Sequence, residues 1–365
     1  HCSVRRQRQM CIRDRGLGAE IILTRSDVPE GHPEYYQDLA RKIASETPGS
    51  FLADQFSNPA NPLAHRTTTA PEIWEQMKGN VDAVVAGVGS GGTLTGLAQF
   101  FKSKNPDISM VAADPEGSVV ADAILTGKYK YEGGSWLVEG VGEDFIPNNF
   151  DLSLMDDAEI VSDKEAFEVL QVLLKEEGIL GGSSSGTLVA AAAKWCRKQT
   201  EPKNVVTFIC DTGNKYLSKA FNKSWLHDNN LLESEKFGDL RDLISRRADQ
   251  GEMITVAPSD SLLVAYNRMR ASDISQLPVI REGDLLGIID EEDVLISVSK
   301  NQGTFSDEVE RHMIQQLDVL QYNASEDELI GILSEGKVAI IYNEDTFIGF
   351  ITKVDLINHY RNRLN

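Results

Sequence analysis

The 365-residue chain carries 36 Lys plus Arg against 56 Asp plus Glu, a formal charge of −20, with 41% apolar and 25% charged residues. That balance is ordinary for a folded protein, excludes an intrinsically disordered chain, and suits two or three domains. The acidic surplus repels phosphate backbones, and no apolar run reaches the roughly 18 residues of a membrane helix, so a soluble protein without nucleic-acid or membrane partners is expected.

Residues 1–15 hold five Arg and one Asp, begin with His, and lack the apolar stretch of a secretory signal. The string Met10-Cys11-Ile12-Arg13-Asp14-Arg15 reads as a non-native scar, with native-looking sequence from Gly16 and more of the protein expected upstream of it. Cys2, Cys11, Cys196 and Cys210 form no C-x-x-C pair and have no His at zinc spacing. They predict incidental thiols, a reducing compartment and no metal site.

From Gly18 onward, strand-length apolar runs alternate with helical periods. Ala19 to Leu23 reads as a strand, Glu34 to Ser45 as a helix, and Ser50 to Phe56 as a short strand closed by the loop Asn58-Pro59-Ala60-Asn61-Pro62. Val81 to Val88 and Ile108 to Ala113 are near-continuous apolar runs, the mark of strands covered on both faces, with a helix from Leu94 to Ser103 between them. Asp163 is expected to cap a helix whose Ala166, Val169, Leu170 and Leu173 share one face. Val205 to Cys210 reads as another buried strand. The alternation predicts an α/β fold with helices on a mostly parallel sheet.

After Trp225 the texture turns polar. Pro278-Val279-Ile280 and Leu285 to Asp293 recur as Ala339-Ile340-Ile341 and Phe347 to Asp355, with Gly287 and Gly349, and likewise Asp293 and Asp355, 62 residues apart. The matched spacing marks two copies of one strand–helix–strand–strand–helix unit, each too small to bury its own sheet face. The expected organisation is a core over 16–228, a linker over 229–250, and repeats over 251–304 and 305–365.

Two glycine-rich turns carry the chemistry. Gly87-Val88-Gly89-Ser90-Gly91-Gly92-Thr93 follows a buried strand and opens a helix, so its free N–H groups suit an anion. It also satisfies G-x-G-x-x-G, with Asp114 ending the next strand 22 residues after Gly92. Phosphate binding and a tight strand-to-helix turn both remain open on this pattern. Gly181-Gly182-Ser183-Ser184-Ser185-Gly186-Thr187 leads into a helix expected over Leu188 to Trp195. A planar cofactor with a phosphate at one end and a ring nitrogen at the other would use both turns. A serine N-cap after a glycine turn is the alternative.

Several motifs together resemble the cystathionine β-synthases, members of the cysteine-synthase-like pyridoxal-phosphate enzymes of fold type II. They are Asp54-Gln55-Phe56, Asn58 to Leu63 with His65, Gly89 to Thr93, Asp114-Pro115-Glu116-Gly117-Ser118, and the run Glu139-Gly140-Val141-Gly142-Glu143-Asp144-Phe145-Ile146-Pro147. Residues from about Met253 to Leu364 are similar to an α+β tandem CBS-domain (Bateman) module. The resemblance implies a type II catalytic core, incomplete at its N-terminus, that binds pyridoxal 5′-phosphate. It also implies condensation of L-serine with L-homocysteine to L-cystathionine in a cytoplasmic homodimer or higher homo-oligomer.

By this resemblance Gly89, Ser90, Gly91, Gly92 and Thr93 hold the cofactor phosphate, Ser184 meets the pyridine nitrogen, and Gly140, Val141 and Gly142 line the pocket. The family's Schiff-base lysine and substrate-carboxylate asparagine loop belong upstream of Gly16. Lys102, Lys104 and Lys215 are read as surface lysines, so no catalytic residue is assigned. In the repeat module, Asp290, Asp293, Thr352 and Asp355 would bind an adenosyl effector such as S-adenosylmethionine. Helix N-capping is the competing reading. Other functions weighed are a cysteine synthase using O-acetylserine and sulfide, a non-catalytic adenosine-nucleotide sensor and, last, a nicotinamide-linked dehydrogenase.

Overall fold

The computed structural model describes residues 14–365 except 26–27, 29–30, 129–133, 233–235, 249–250, 252, 273 and 363–365. Cys2, Cys11 and most of the suspected scar lie outside the described residues. The chain divides into two compact units, His1–Lys223 and Ser224–Asn365. Among the described residues no helix is long and apolar enough to cross a membrane.

In the first unit, helix α1 (Tyr36–Glu46) precedes a helical stretch built from α2 (Ala60–Ala64), a π-turn (His65–Thr69) and α3 (Ala70–Gln76). Strand β1 (Ala83–Gly87) then leads to α4 (Gly92–Lys104), β2 (Ser109–Pro115) and α5 (Val120–Thr126). Strand β3 (Asp157–Val161), α6 (Asp163–Glu177), α7 (Ser183–Arg197) and β4 (Val205–Val206) complete it. The four strands form a parallel sheet in the order β3-β2-β1-β4, with Ala83 paired to Ser109 and Gly87 to Ala113. Val84 and Val85 point to opposite faces yet are both fully buried, as expected for a strand with helices on both sides. Leu94, Leu97 and Phe101 of α4 pack with Val84 and Met110 into one core.

Several expectations are corrected. Residues 19–25 form no strand, and Ile22 and Leu23 are 54% and 59% exposed. β-branched composition favours a strand only where a neighbour supplies a ladder, and none of the described strands pairs with this run. Ser50 to Phe56 is likewise not a strand. Asp54 takes φ +42° and its carbonyl accepts from both Ser57 and Asn58 N–H groups, which folds the run into a turn.

The expected loop after it becomes helix. The Asn58 side chain accepts from Ala60 N at 3.0 Å, and Pro62 falls in the first turn, where a missing N–H costs nothing. Pro71 cannot donate to this helical stretch. The extra residue of the π-turn lets Ala70 N bond back to His65 O instead.

The cap of α6 is Ser162, in a capping box with Glu165, and Asp163 is its first helical residue. Helix α7 begins at Ser183 rather than Leu188, with Gly182 at its cap. Only Val205 and Val206 of the run to Cys210 pair as strand, because β4 lies at the sheet edge and the chain then turns to bridge Gly181 with Thr212.

The second unit holds α8 (Leu262–Ser272), β5 (Gln276–Arg281), β6 (Asp284–Asp290) and α9 (Glu291–Lys300). The second copy follows as β7 (Asp318–Gln321), α10 (Glu326–Ser334), β8 (Ala339–Asn343), β9 (Thr346–Ile351) and α11 (Lys353–Asn362). The first copy's leading strand is reduced to one parallel bridge, Val256 to Val279. Both hairpins carry a bulge at the same repeat position, after Val279 and after Ile341, and both turn through a glutamate at φ +54°, Glu282 and Glu344. Leu240, Leu243 and Ile244, expected in a linker, are buried against Ile348, Ile351 and Leu356 of the second copy. Ile288, Ile340 and Phe347 form a cluster that joins the two copies.

Candidate functional site

The first glycine turn lies between β1 and α4. Gly91 adopts φ +80° at the helix cap, and a Cβ there would lie 2.6 Å from the Phe150 Cβ. A Cβ on Gly92 would overlap the Asn61 amide, and one on Gly89 would sit 3.1 Å from the Gly140 carbonyl oxygen. The side chains that line this turn come from α2 and the π-turn. Asn61 Nδ2 donates to Ser90 Oγ at 2.9 Å and to Gln55 O at 2.9 Å. His65 Nε2 lies 3.2 Å from Thr93 Oγ1. The helix has no side-chain cap, so its first N–H groups and positive dipole end face the turn.

The second turn opens α7. Ser183, Ser184, Ser185 and Thr187 are all buried, and α7 comes so close to α6 that a Cβ on Gly186 would overlap the Ala166 carbonyl. Ser185 Oγ accepts from Cys210 N at 3.0 Å, which places Cys210 beside this turn. Cys210 keeps part of its surface in solvent, while the packing around its sulfur pushes the thiol up. Thr187 Oγ1 is buried without a hydrogen-bond partner.

A third segment joins the two turns. Glu139 N donates to Ser183 Oγ at 3.0 Å, and Gly142 N donates to the Val88 carbonyl at 2.8 Å. Three residues span at most about 10–11 Å, so this segment keeps its two attachment points, Val88 and Ser183, near each other. The segment is held at both ends. The Asp163 carboxylate accepts from Leu137 N (2.7 Å) and Val138 N (3.0 Å), and Ser118 Oγ donates to Glu143 O at 3.1 Å. Gly140 and Gly142 take φ +78° and +88°, and Val141 is buried, its side chain 2.5 Å from where a Cβ on Gly87 would lie.

These residues fit the expected cofactor on two counts. The first turn is a glycine cradle at an uncapped helix start, and the second offers a neutral hydroxyl rather than a carboxylate. Gly89–Thr93, Gly140–Gly142 and Ser184 are thus brought to one place in the fold. Asn61, His65 and Cys210 touch the same turns but were given no role by sequence. The P-A-N-P loop hid its helical geometry, and a lone thiol has no signature.

Two carboxylates nearby are strongly perturbed. Burial, aided by the Asp144 and Asp114 charges, pushes Glu143 up to about 8, and burial pushes Asp114 up to about 6. Asp114 is fully buried and accepts from Ala121 N at 2.8 Å, so it serves α5 and cannot reach a ribose. That removes the acidic residue a dinucleotide site requires. Lys102 and Lys215 pair with Asp156 (2.7 Å) and Asp211 (3.0 Å), and Lys104 lies over the Phe100 ring.

In the second unit, Asp290 and Asp293 form a reciprocal capping box at α9, with Asp293 N donating to Asp290 Oδ1 at 2.7 Å and Asp290 N to Asp293 Oδ2 at 3.1 Å. Thr352 N donates to Asp355 Oδ2 at 2.7 Å, and the other Asp355 oxygen accepts from the Ser245 hydroxyl. All four residues therefore cap helices in this structure. Burial, with the Asp290 charge beside it, raises the Asp293 pKa.

Comparison with known proteins gives the same division. Residues 4–211 match the family described as pyridoxal-phosphate dependent enzyme, and residues 240–300 match the CBS domain. The chain is 31% identical over 364 residues to the cystathionine beta-synthase of Dictyostelium discoideum, covering 94% of this chain and 71% of the relative. It is 31% identical over 367 residues to that of Oryctolagus cuniculus, covering 96% and 66%. A cysteine synthase of Buchnera aphidicola is 40% identical over 220 residues, covering 59% of this chain and 67% of the relative.

Proposed function

The chain belongs to the pyridoxal-phosphate-dependent enzyme family, and from that premise we propose that it condenses L-serine with L-homocysteine to L-cystathionine by β-replacement. Serine loses its α-proton and β-hydroxyl together as water, the homocysteine sulfur bonds to the β-carbon, and the thiol proton balances the one lost from the α-carbon. Bound pyridoxal phosphate supplies the electron sink that lets the hydroxyl leave. The backbone N–H groups of Gly89–Thr93 and the Thr93 hydroxyl hold the phosphate. Ser184 offers a neutral hydroxyl to the ring nitrogen and leaves that nitrogen unprotonated, which favours elimination over transamination. Gly140, Val141 and Gly142 close one side of the pocket against water.

The observation that carries this reading is the tie of both turns to the 139–142 segment. The match to cystathionine beta-synthases along nearly the whole chain, C-terminal module included, favours homocysteine over sulfide. In the same reading the C-terminal module binds an adenosyl effector such as S-adenosylmethionine, and the protein is a cytoplasmic homo-oligomer, at least a dimer. The higher identity to cysteine synthases over the catalytic region supports a second reading, O-acetylserine plus sulfide. Assaying full-length protein with each substrate pair separates them. Turnover confined to O-acetylserine and sulfide overturns the first reading.

A further inference from the structure

We propose that His65 is a positioning residue that fixes the direction of the Thr93 hydroxyl and so makes Thr93 a phosphate donor. The inference rests on reading Gly89–Thr93 as a phosphate cradle. His65 Nε2 lies 3.2 Å from Thr93 Oγ1, and His65 Nδ1 lies 3.0 Å from Thr69 Oγ1. A neutral imidazole has one donor and one acceptor, and a hydroxyl has one proton. The chain Thr69–His65–Thr93 can therefore run in only two directions. In one, Thr69 donates to Nδ1, Nε2–H donates to Thr93, and the Thr93 proton is free to turn toward the N-terminal loop of α4. In the other, Thr93 spends its proton on Nε2 and presents only lone pairs, which repel a phosphate. A dianion in the loop selects the first direction.

The local structure holds this relay in place. The π-turn closes through Ala70 N to His65 O and brings the side chains of residues 65 and 69 together. Of three consecutive threonines, Thr67 and Thr68 spend their hydroxyls on the Leu63 (2.9 Å) and Ala64 (2.6 Å) carbonyls, whereas Thr69 is turned to the ring. Helix α4 lies so close that a Cβ on Gly96 would come within 2.9 Å of the His65 Cβ. Burial lowers the His65 pKa, which keeps the ring neutral and gives it one acceptor nitrogen.

Calorimetry on the full chain with pyridoxine 5′-phosphate, and with pyridoxine as the phosphate-free control, tests this without turnover. His65→Leu should weaken the phosphorylated ligand about tenfold, leave pyridoxine unchanged and move the phosphorus NMR resonance of the bound ligand. His65→Gln, whose amide N–H can replace Nε2–H, should restore most of the affinity. Thr69→Val should weaken the phosphorylated ligand in the same direction, and it decides the matter if His65→Leu does not fold. A wild-type chain that shows no preference for pyridoxine 5′-phosphate overturns the cradle and the relay together. An undiminished preference in His65→Leu, or in Thr69→Val if the first variant is unfolded, overturns the relay alone. Equal loss in His65→Leu and His65→Gln assigns His65 to packing and also overturns it.

Discussion

The Glu139 backbone N–H donates to the Ser183 hydroxyl at 3.0 Å, so the loop beside the first glycine turn is fastened to the first residue of the helix behind the second. Neither partner is a reacting group. Their bond limits how far the two turns can move apart.

Gly92→Ala should fail at the site before it fails elsewhere. The added methyl would overlap the Asn61 amide, which in turn holds Ser90. A shift there should cost about 1–3 kcal/mol of stability, and pyridoxine 5′-phosphate affinity should fall with it. Thermal melts and calorimetry on one preparation check both, and unchanged affinity would contradict the proposed cradle.

Ser162→Ala and Asp163→Ala should separate two roles that lie side by side in sequence. Losing the Ser162 cap should cost about 1 kcal/mol, a fall of about 2–4 °C in melting temperature for a unit of this size, with ligand affinity unchanged. Losing the Asp163 carboxylate releases the Leu137 and Val138 N–H groups that anchor the 139–142 segment. Ligand affinity should then drop as well.

The raised carboxylates set a pH trend in stability. Glu143 and Asp114 are pushed to about 8 and about 6, so the folded chain holds protons that the unfolded chain has already released. Their contribution is full below their ordinary pKa values and is lost as pH rises through the folded ones. Their contribution to stability should therefore decline from about pH 4 to about pH 8. Glu143→Gln should flatten that decline, and parallel wild-type and variant curves would show that Glu143 is not its source.

Ser245→Ala should strengthen binding of an adenosyl ligand. The Ser245 hydroxyl donates to the Asp355 oxygen that the helix cap leaves open, so it would compete with a ribose hydroxyl for that acceptor. Removing the Ser245 hydroxyl should raise affinity about fivefold, as read by calorimetry with S-adenosylmethionine. Equal or weaker binding would place the ligand away from Asp355.

Sequence showed where burial and repetition are strong. Val81–Val88 and Ile108–Ala113 are near-continuous apolar runs because helices cover both faces; one strand lies inside the first, and the other overlaps the second and runs on to Pro115. The 62-residue repeat reappears as two hairpins with matching bulges. Sequence failed where a partner or a backbone torsion decides. Ala19–Leu23 has strand composition without a neighbour, and Asp54 breaks the next run through a left-handed torsion that composition does not encode. At the site, the glycines were legible because only glycine tolerates those approaches. His65 was visible as a motif letter, but its bond to Thr93 depends on a π-turn that no periodicity announces.

Glu282 and Glu344 share φ +54° one repeat apart, although neither is a glycine and their followers differ, Gly283 against Asp345. A kinked hairpin copied whole, with its letters drifting afterwards, accounts for both. The two hairpins thus share one bend in the main chain, whichever residue follows it.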